Sequence, residues 1–80
     1  NYPNPFNPAT TIKFALPVSG NVNLSVYNSL GEKVETLANQ FLEAGYHKIE
    51  WKANNYSSGV YYYRFESEKY FDVKKMILLK

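Results

Sequence analysis

Apolar residues recur at every second position over most of this chain. Ile12, Phe14 and Leu16 alternate with Thr11, Lys13 and Ala15, and Val22, Leu24 and Val26 alternate with Asn23, Ser25 and Tyr27. Further on, His47, Ile49 and Trp51 alternate with Tyr46, Lys48 and Glu50. A period of two sends successive side chains to opposite faces of a strand. Residues 60–66 are the strongest strand by propensity, with Tyr61, Tyr62 and Tyr63 followed by Phe65. A final strand is expected over 71–79, with Met76 and Leu78 facing inward and Lys75 outward. Turn chemistry separates these runs at 17–21, at Asn28-Ser29-Leu30-Gly31, at 54–59 and at 67–69. Gly31, Gly45 and Gly59 read as turn residues. Val34 and Leu37 fit a short strand or irregular run, and residues 35–42 are expected to contain one helical turn. Pro3, Pro5 and Pro8 fix φ and remove donors, so residues 1–9 read as an extended leading segment before a body over 10–80. That segment is expected along a sheet edge or across one end, with Tyr2 and Phe6 as anchors.

About seven short strands with turns every ~8–12 residues predict an all-β fold, an immunoglobulin-like antiparallel β-sandwich, without the Cys…Trp…Cys framework of antibody domains. Its core is expected to hold Ile12, Phe14, Val22, Leu24, Val26, Ile49, Trp51, Tyr61, Tyr63 and Met76. Composition makes this feasible in a single small domain. Eighty residues bury only about 60–65% of their unfolded surface, and no cysteine is present to staple them. Apolar residues make up 45% of the chain and aromatics 18%, which supplies large side chains for a thin core. Tyr61, two residues after Gly59, is placed to form a tyrosine corner.

The net charge of +2 is too small to suggest a nucleic-acid partner. No apolar run approaches the ~20 residues of a membrane span. The chain opens on polar residues and prolines, so an export signal is expected on a parent chain to the N-terminal side. Catalytic chemistry has little to work with. His47 is the lone histidine and reads as a packed or edge residue. His47, Glu43 and Glu50 do not share a strand face, and Asp72 is remote, so no metal set is expected. Neither a phosphate loop nor a nucleophile elbow occurs, so no enzyme activity and no cofactor are expected. Tyr46, Trp51, Tyr56, Tyr61, Tyr62, Tyr63 and Tyr70 are numerous enough for a sugar-stacking platform. Alternation, however, sends Tyr61 and Tyr63 to one face and Tyr62 to the other, which favours packing. Lysines at 69, 74, 75 and 80 outnumber Asp72 at the chain's end. Lysines on a terminal edge strand also block edge-to-edge aggregation.

Four marks stand in order. They are Tyr2-Pro3-Asn4-Pro5-Phe6-Asn7-Pro8, Val26-Tyr27-Asn28-Ser29-Leu30-Gly31-Glu32-Lys33-Val34, Ser58-Gly59-Val60-Tyr61-Tyr62-Tyr63-Arg64, and Lys74-Lys75-Met76-Ile77-Leu78-Leu79-Lys80. In this order and at these intervals they resemble the type A C-terminal sorting domains of the type IX secretion system. They are also similar to the immunoglobulin-like domain of flagellar hook-capping proteins. Many sorting domains carry Pro-x-x-Gly after the first Asn-Pro, where Phe6-Asn7-Pro8 stands here. Tyr2, Pro3, Asn4, Pro5, Gly31, Gly59 and Tyr61 are the positions that carry the family pattern.

The resemblance implies a transport role. A larger N-terminal cargo, covalently linked, would pass through the periplasm to the outer-membrane translocon. It would end at the cell surface or be secreted. The implied partners are the type IX machinery and its sortase-like peptidase, which commonly removes the domain. Lys74, Lys75, Met76, Leu78 and Lys80 are the expected docking residues, with Lys80 expected to end the parent chain. A monomer is expected. The alternatives are a carbohydrate-binding or spacer module of a secreted glycoside hydrolase, and a structural assembly domain.

Overall fold

The computed structural model describes residues 9–68 and 71–79. They form β1 (Ala9–Leu16), β2 (Gly20–Asn28), β3 (Lys33–Leu42), β4 (Gly45–Lys52), β5 (Gly59–Ser67) and β6 (Phe71–Leu78). β1 pairs with β4 in a two-stranded sheet, and the other strands make a four-stranded sheet in the order β3-β2-β5-β6. Every pairing is antiparallel. The chain changes sheet after β1, β3 and β4, giving the immunoglobulin-like sandwich that the strand spacing implies.

Six strands stand where the spacing suggests about seven, and the expected helical turn over 35–42 is absent. The second difference has its cause in register. β3 runs unbroken along the edge of β2, but its register shifts twice. Thr36 opposes Ser25 and Ala38 opposes Leu24, so Leu37 is an extra residue; Glu35 opposes Val26 and Lys33 opposes Tyr27, so Val34 is another. Each such bulge flips the alternation that follows it. Val34, Leu37, Ala38, Phe41 and Leu42 therefore fall at helix-like intervals inside a strand. Hydrogen bonding to β2 decides the conformation over this local pattern.

The core lies between the sheets. Ile12 and Leu16 of β1 and Trp51 of β4 face Val22, Leu24, Val26, Tyr61, Phe65, Met76 and Leu78, with Ala38 and Ala53 completing the cluster. Ring contacts cross the gap: Phe14 lies 4.5 Å from Phe65, and Trp51 lies 5.3 Å from Tyr61. Three residues expected to be largely buried, Phe14, Ile49 and Tyr63, are only half-buried. Neighbouring strands sit about 4.8 Å apart, so two strands span too little width to cover four. Tyr63, on the wide sheet, is flanked on β6 by Lys74 instead of an apolar side chain, whereas Phe14 and Ile49 lie on a sheet whose two strands are both edges and so lack an in-sheet neighbour on one side.

Trp51 is the largest fully buried side chain, at 1% exposure. Replacing it with alanine is expected to cost about 3–5 kcal/mol. A domain of this size holds as little as ~5 kcal/mol in total. Urea denaturation of Trp51→Ala should therefore find a largely unfolded population in buffer, whereas an unchanged midpoint would rule out this role.

Candidate docking surface

β6 is the last strand of its sheet. It bonds β5 on one side, with Tyr61 opposite Met76, Tyr62 opposite Lys75 and Tyr63 opposite Lys74. Among the described residues no strand bonds its other side. Met76 and Leu78 are 4% and 3% exposed, so both are committed to the core and hold the strand in place. Lys74 and Lys75 are exposed. Lys74 Nζ lies 3.8 Å from Asp72 Oδ2, a solvated surface pair that contributes little to stability. Lys80 lies outside the described residues, as do Tyr2, Pro3, Asn4 and Pro5, the rest of segment 1–8, and Tyr70. Ala9, assigned from sequence to the leading segment, already belongs to β1.

The sequence reading missed one feature of this strand. Phe71, Val73, Ile77 and Leu79 form an exposed apolar row on the face opposite Met76 and Leu78, at 49% to 62% exposure. The signal was present in the pattern: the last strand is apolar at both parities, which marks a strand covered on both faces.

Two of the family marks are backbone devices. In the turn between β2 and β3, Asn28 Oδ1 accepts from the amides of Leu30 (2.9 Å) and Glu32 (3.0 Å). Its Nδ2 donates to Glu32 Oε1 at 2.8 Å. Gly31 completes the turn at φ 84°, where a side chain would strain the backbone. At the start of β5, the Tyr61 hydroxyl donates to the Ser57 carbonyl at 2.8 Å, which is the expected tyrosine corner. Gly59, at φ 154°, turns the chain into the strand.

A polar network closes one end of the core. Trp51 Nε1 donates to Glu35 Oε1 at 3.2 Å. The Tyr56 hydroxyl shares its hydrogen between Glu35 Oε1 (3.0 Å) and the Val34 carbonyl (3.1 Å). The Tyr56 ring lies 5.5 Å from Trp51 and 6.2 Å from Tyr61. Burial raises the Tyr56 pKa above the ordinary tyrosine value, helped by the hydrogen bond to Glu35 and by that carboxylate's charge. Burial, then the charge of Asp72, also raises the Tyr63 pKa.

The remaining candidates are dispersed. His47 Nε2 meets the Glu43 carbonyl at 2.7 Å, so this nitrogen carries the hydrogen, and the ring stacks on Phe14 at 5.5 Å. This is the packed, edge histidine expected from sequence. Among the described residues no three of His, Asp and Glu gather into a cluster. The aromatics do not share a platform. Trp51, Tyr56 and Tyr61 pack on one another, Tyr62 faces out from the four-stranded sheet, and Tyr46, 93% exposed, stands on the two-stranded sheet.

The tyrosine shifts give stability a pH dependence. A raised folded pKa means that the folded chain holds its proton more tightly than the unfolded chain. That contribution is complete below the unfolded tyrosine value near 10 and is lost as pH rises through the folded values. The Tm is expected to fall from about pH 10 upward, and the fall should be shallower in Tyr56→Phe/Tyr63→Phe. An equal slope in wild type and variant would count against it.

The family described as the secretion system C-terminal sorting domain matches residues 1–79. No curated protein and no solved structure shows a significant match. The match spans both the turn built on Asn28 and Gly31 and the strand that ends the sheet, and the chain belongs to the family of type IX secretion system C-terminal sorting domains.

Proposed function

We propose that this domain hands a larger cargo protein, already delivered to the periplasm, to the outer-membrane type IX translocon, with β6 as the principal docking element. Family membership makes the chain a sorting signal for export to the cell surface or the medium, acting on a larger protein through the type IX machinery. The observation that carries the docking role is the position of β6 at the edge of the four-stranded sheet, where no other described strand pairs with it. Such an edge offers backbone donors and acceptors that a partner strand can pair. Lys74 and Lys75 are its exposed charges, and Lys80 is assigned with them. Charges at an interface rim govern orientation and association rate more than affinity. Met76 and Leu78 act from inside, by fixing the strand against the core. Residues 1–8 serve as the junction to the cargo, where a sortase-like peptidase removes the domain.

The role is recognition, not catalysis, in keeping with a family that is generally non-catalytic. The carbohydrate-module alternative draws on the tyrosines and Trp51 as one stacking platform. Here Tyr46 and Tyr62 stand on opposite outer faces, and Trp51 and Tyr61 are buried.

A reporter fused ahead of this domain, in a bacterium with a working type IX system, tests the reading. Wild-type fusion should leave the cell, and deleting 76–80 should trap it in the periplasm. That deletion also removes Met76 and Leu78 from the core, so a second variant is required. Lys74→Glu/Lys75→Glu should slow export while leaving the melting transition nearly unchanged, as exposed substitutions do. Normal export of both variants would refute docking through this strand.

A further inference from the structure

We infer that recognition uses the outer face of the four-stranded sheet as well as the edge of β6, and that the occupant is an extended segment of a protein partner whose side chains on that face run apolar, acidic, apolar. The inference rests on the docking role proposed for β6 and specifies what β6 is docked against.

The two outer faces of the sandwich differ in kind. The outer face of the β1–β4 sheet carries Thr11 opposite Glu50 and Lys13 opposite Lys48, with Ala15 opposite the exposed Tyr46 at one end, so its middle is polar. The outer face of the other sheet is apolar over a longer span. Register places Ile77 beside Val60, Val73 beside Arg64, and Lys75 beside Tyr62, which is itself beside Tyr27. With Phe71 and Leu79 at the strand's ends, the outer margin is an aliphatic and aromatic row interrupted by Lys75. A shallow hollow of about 270 Å³ opens on it between Tyr27, Tyr62, Arg64 and Val73, walled by the Asn28–Gly31 turn. Tyrosine and arginine set among apolar groups are the composition of protein-binding hot spots.

Charge fixes the partner's chemistry. Two acids near this margin already have cations: Glu66 Oε2 lies 3.3 Å from an Arg64 guanidinium nitrogen, and Asp72 lies 3.8 Å from Lys74. Arg64 is further held over the Phe71 ring, 5.3 Å from its centroid. Lys75 has no acidic partner among the described residues, and its side chain rises between Val73 and Ile77 in the middle of the apolar row. Covering that row with a wholly apolar segment would strand an ammonium ion away from water. A segment with one carboxylate between two apolar side chains covers the row and pairs the charge. Strand spacing supplies the geometry, because alternate residues of an added strand project onto this face beside Val73, Lys75 and Ile77. A second copy of β6 fits less well, since self-pairing centred on Lys75 sets lysine against lysine.

The reporter fusion provides the test, with Tyr62→Ser/Ile77→Thr on this face, Lys75→Glu, Lys75→Arg, and Lys13→Ser/Lys48→Ser on the opposite face as control. The first two variants should cut the export rate about tenfold, while Lys75→Arg and the control stay within about twofold of wild type. Melting of the purified fusions should be unchanged in all four. If Tyr62→Ser/Ile77→Thr lowers melting, the contrast between Lys75→Glu and Lys75→Arg decides, because position 75 is exposed and arginine keeps the charge. Failure of the wild-type fusion to leave the cell would overturn the docking role and this inference with it. Export of wild type and of the Tyr62 and Lys75 variants at equal rates would overturn the inference alone. A fusion that sediments as a dimer, and as a monomer after Ile77→Thr, would also overturn it by making the occupant a second copy.

Discussion

The fold depends on Trp51 joining two sheets of unequal width. A two-stranded sheet has marginal stability by itself, so β1 and β4 persist only through what they bury against the four-stranded sheet. Trp51 supplies the largest part of that burial and an edge contact with the Tyr61 ring. Its indole N–H also needs a partner in a dry environment. Glu35 provides one from β3, across the sandwich, and Tyr56 completes the carboxylate's contacts from the loop before β5. Apolar burial and polar satisfaction thus converge on one residue. The bulges that disturb β3 lie on either side of Glu35, at Val34 and Leu37.

The same economy shapes β6. Its inner face gives Met76 and Leu78 to the core, and its outer face leaves an apolar row exposed. The strand that bears the proposed signal is therefore also part of the core. The proposed recognition along this strand would need the domain to be folded, because the buried Met76 and Leu78 hold the strand in the pairing that brings Lys75 beside Tyr62. A sorting element built this way presents its contacts only on a folded domain. The family marks divide along the same line. Asn28, Gly31, Gly59 and Tyr61 shape two turns, whereas residues 74–78 of the last mark lie on the edge strand.

Legible along the chain were the all-β class, the positions of five strands, the tyrosine corner and most of the core. Each rests on local physics: alternation for β1, β2 and β4, propensity for β5, apolar parity for β6, and turn chemistry at Asn28 and Gly31. The buried positions of Ile12, Val22, Leu24, Val26, Trp51, Tyr61 and Met76 follow from that alternation, since each occupies the apolar parity of its strand. The family resemblance was legible because its marks lie in linear order. The rest depends on contacts between strands. β3 hides its strand character because two bulges give it helix-like spacing, and only its pairing with β2 reveals them. Phe14 and Ile49 stay half-buried because both strands of their sheet are edges, and Tyr63 because two strands cannot cover four, features invisible in any single strand. Glu35 meets Trp51 and Tyr56 across 16 and 21 residues of sequence. The apolar outer row acquired its neighbours Tyr62, Tyr27 and Arg64 from strand register, which no residue on β6 encodes alone.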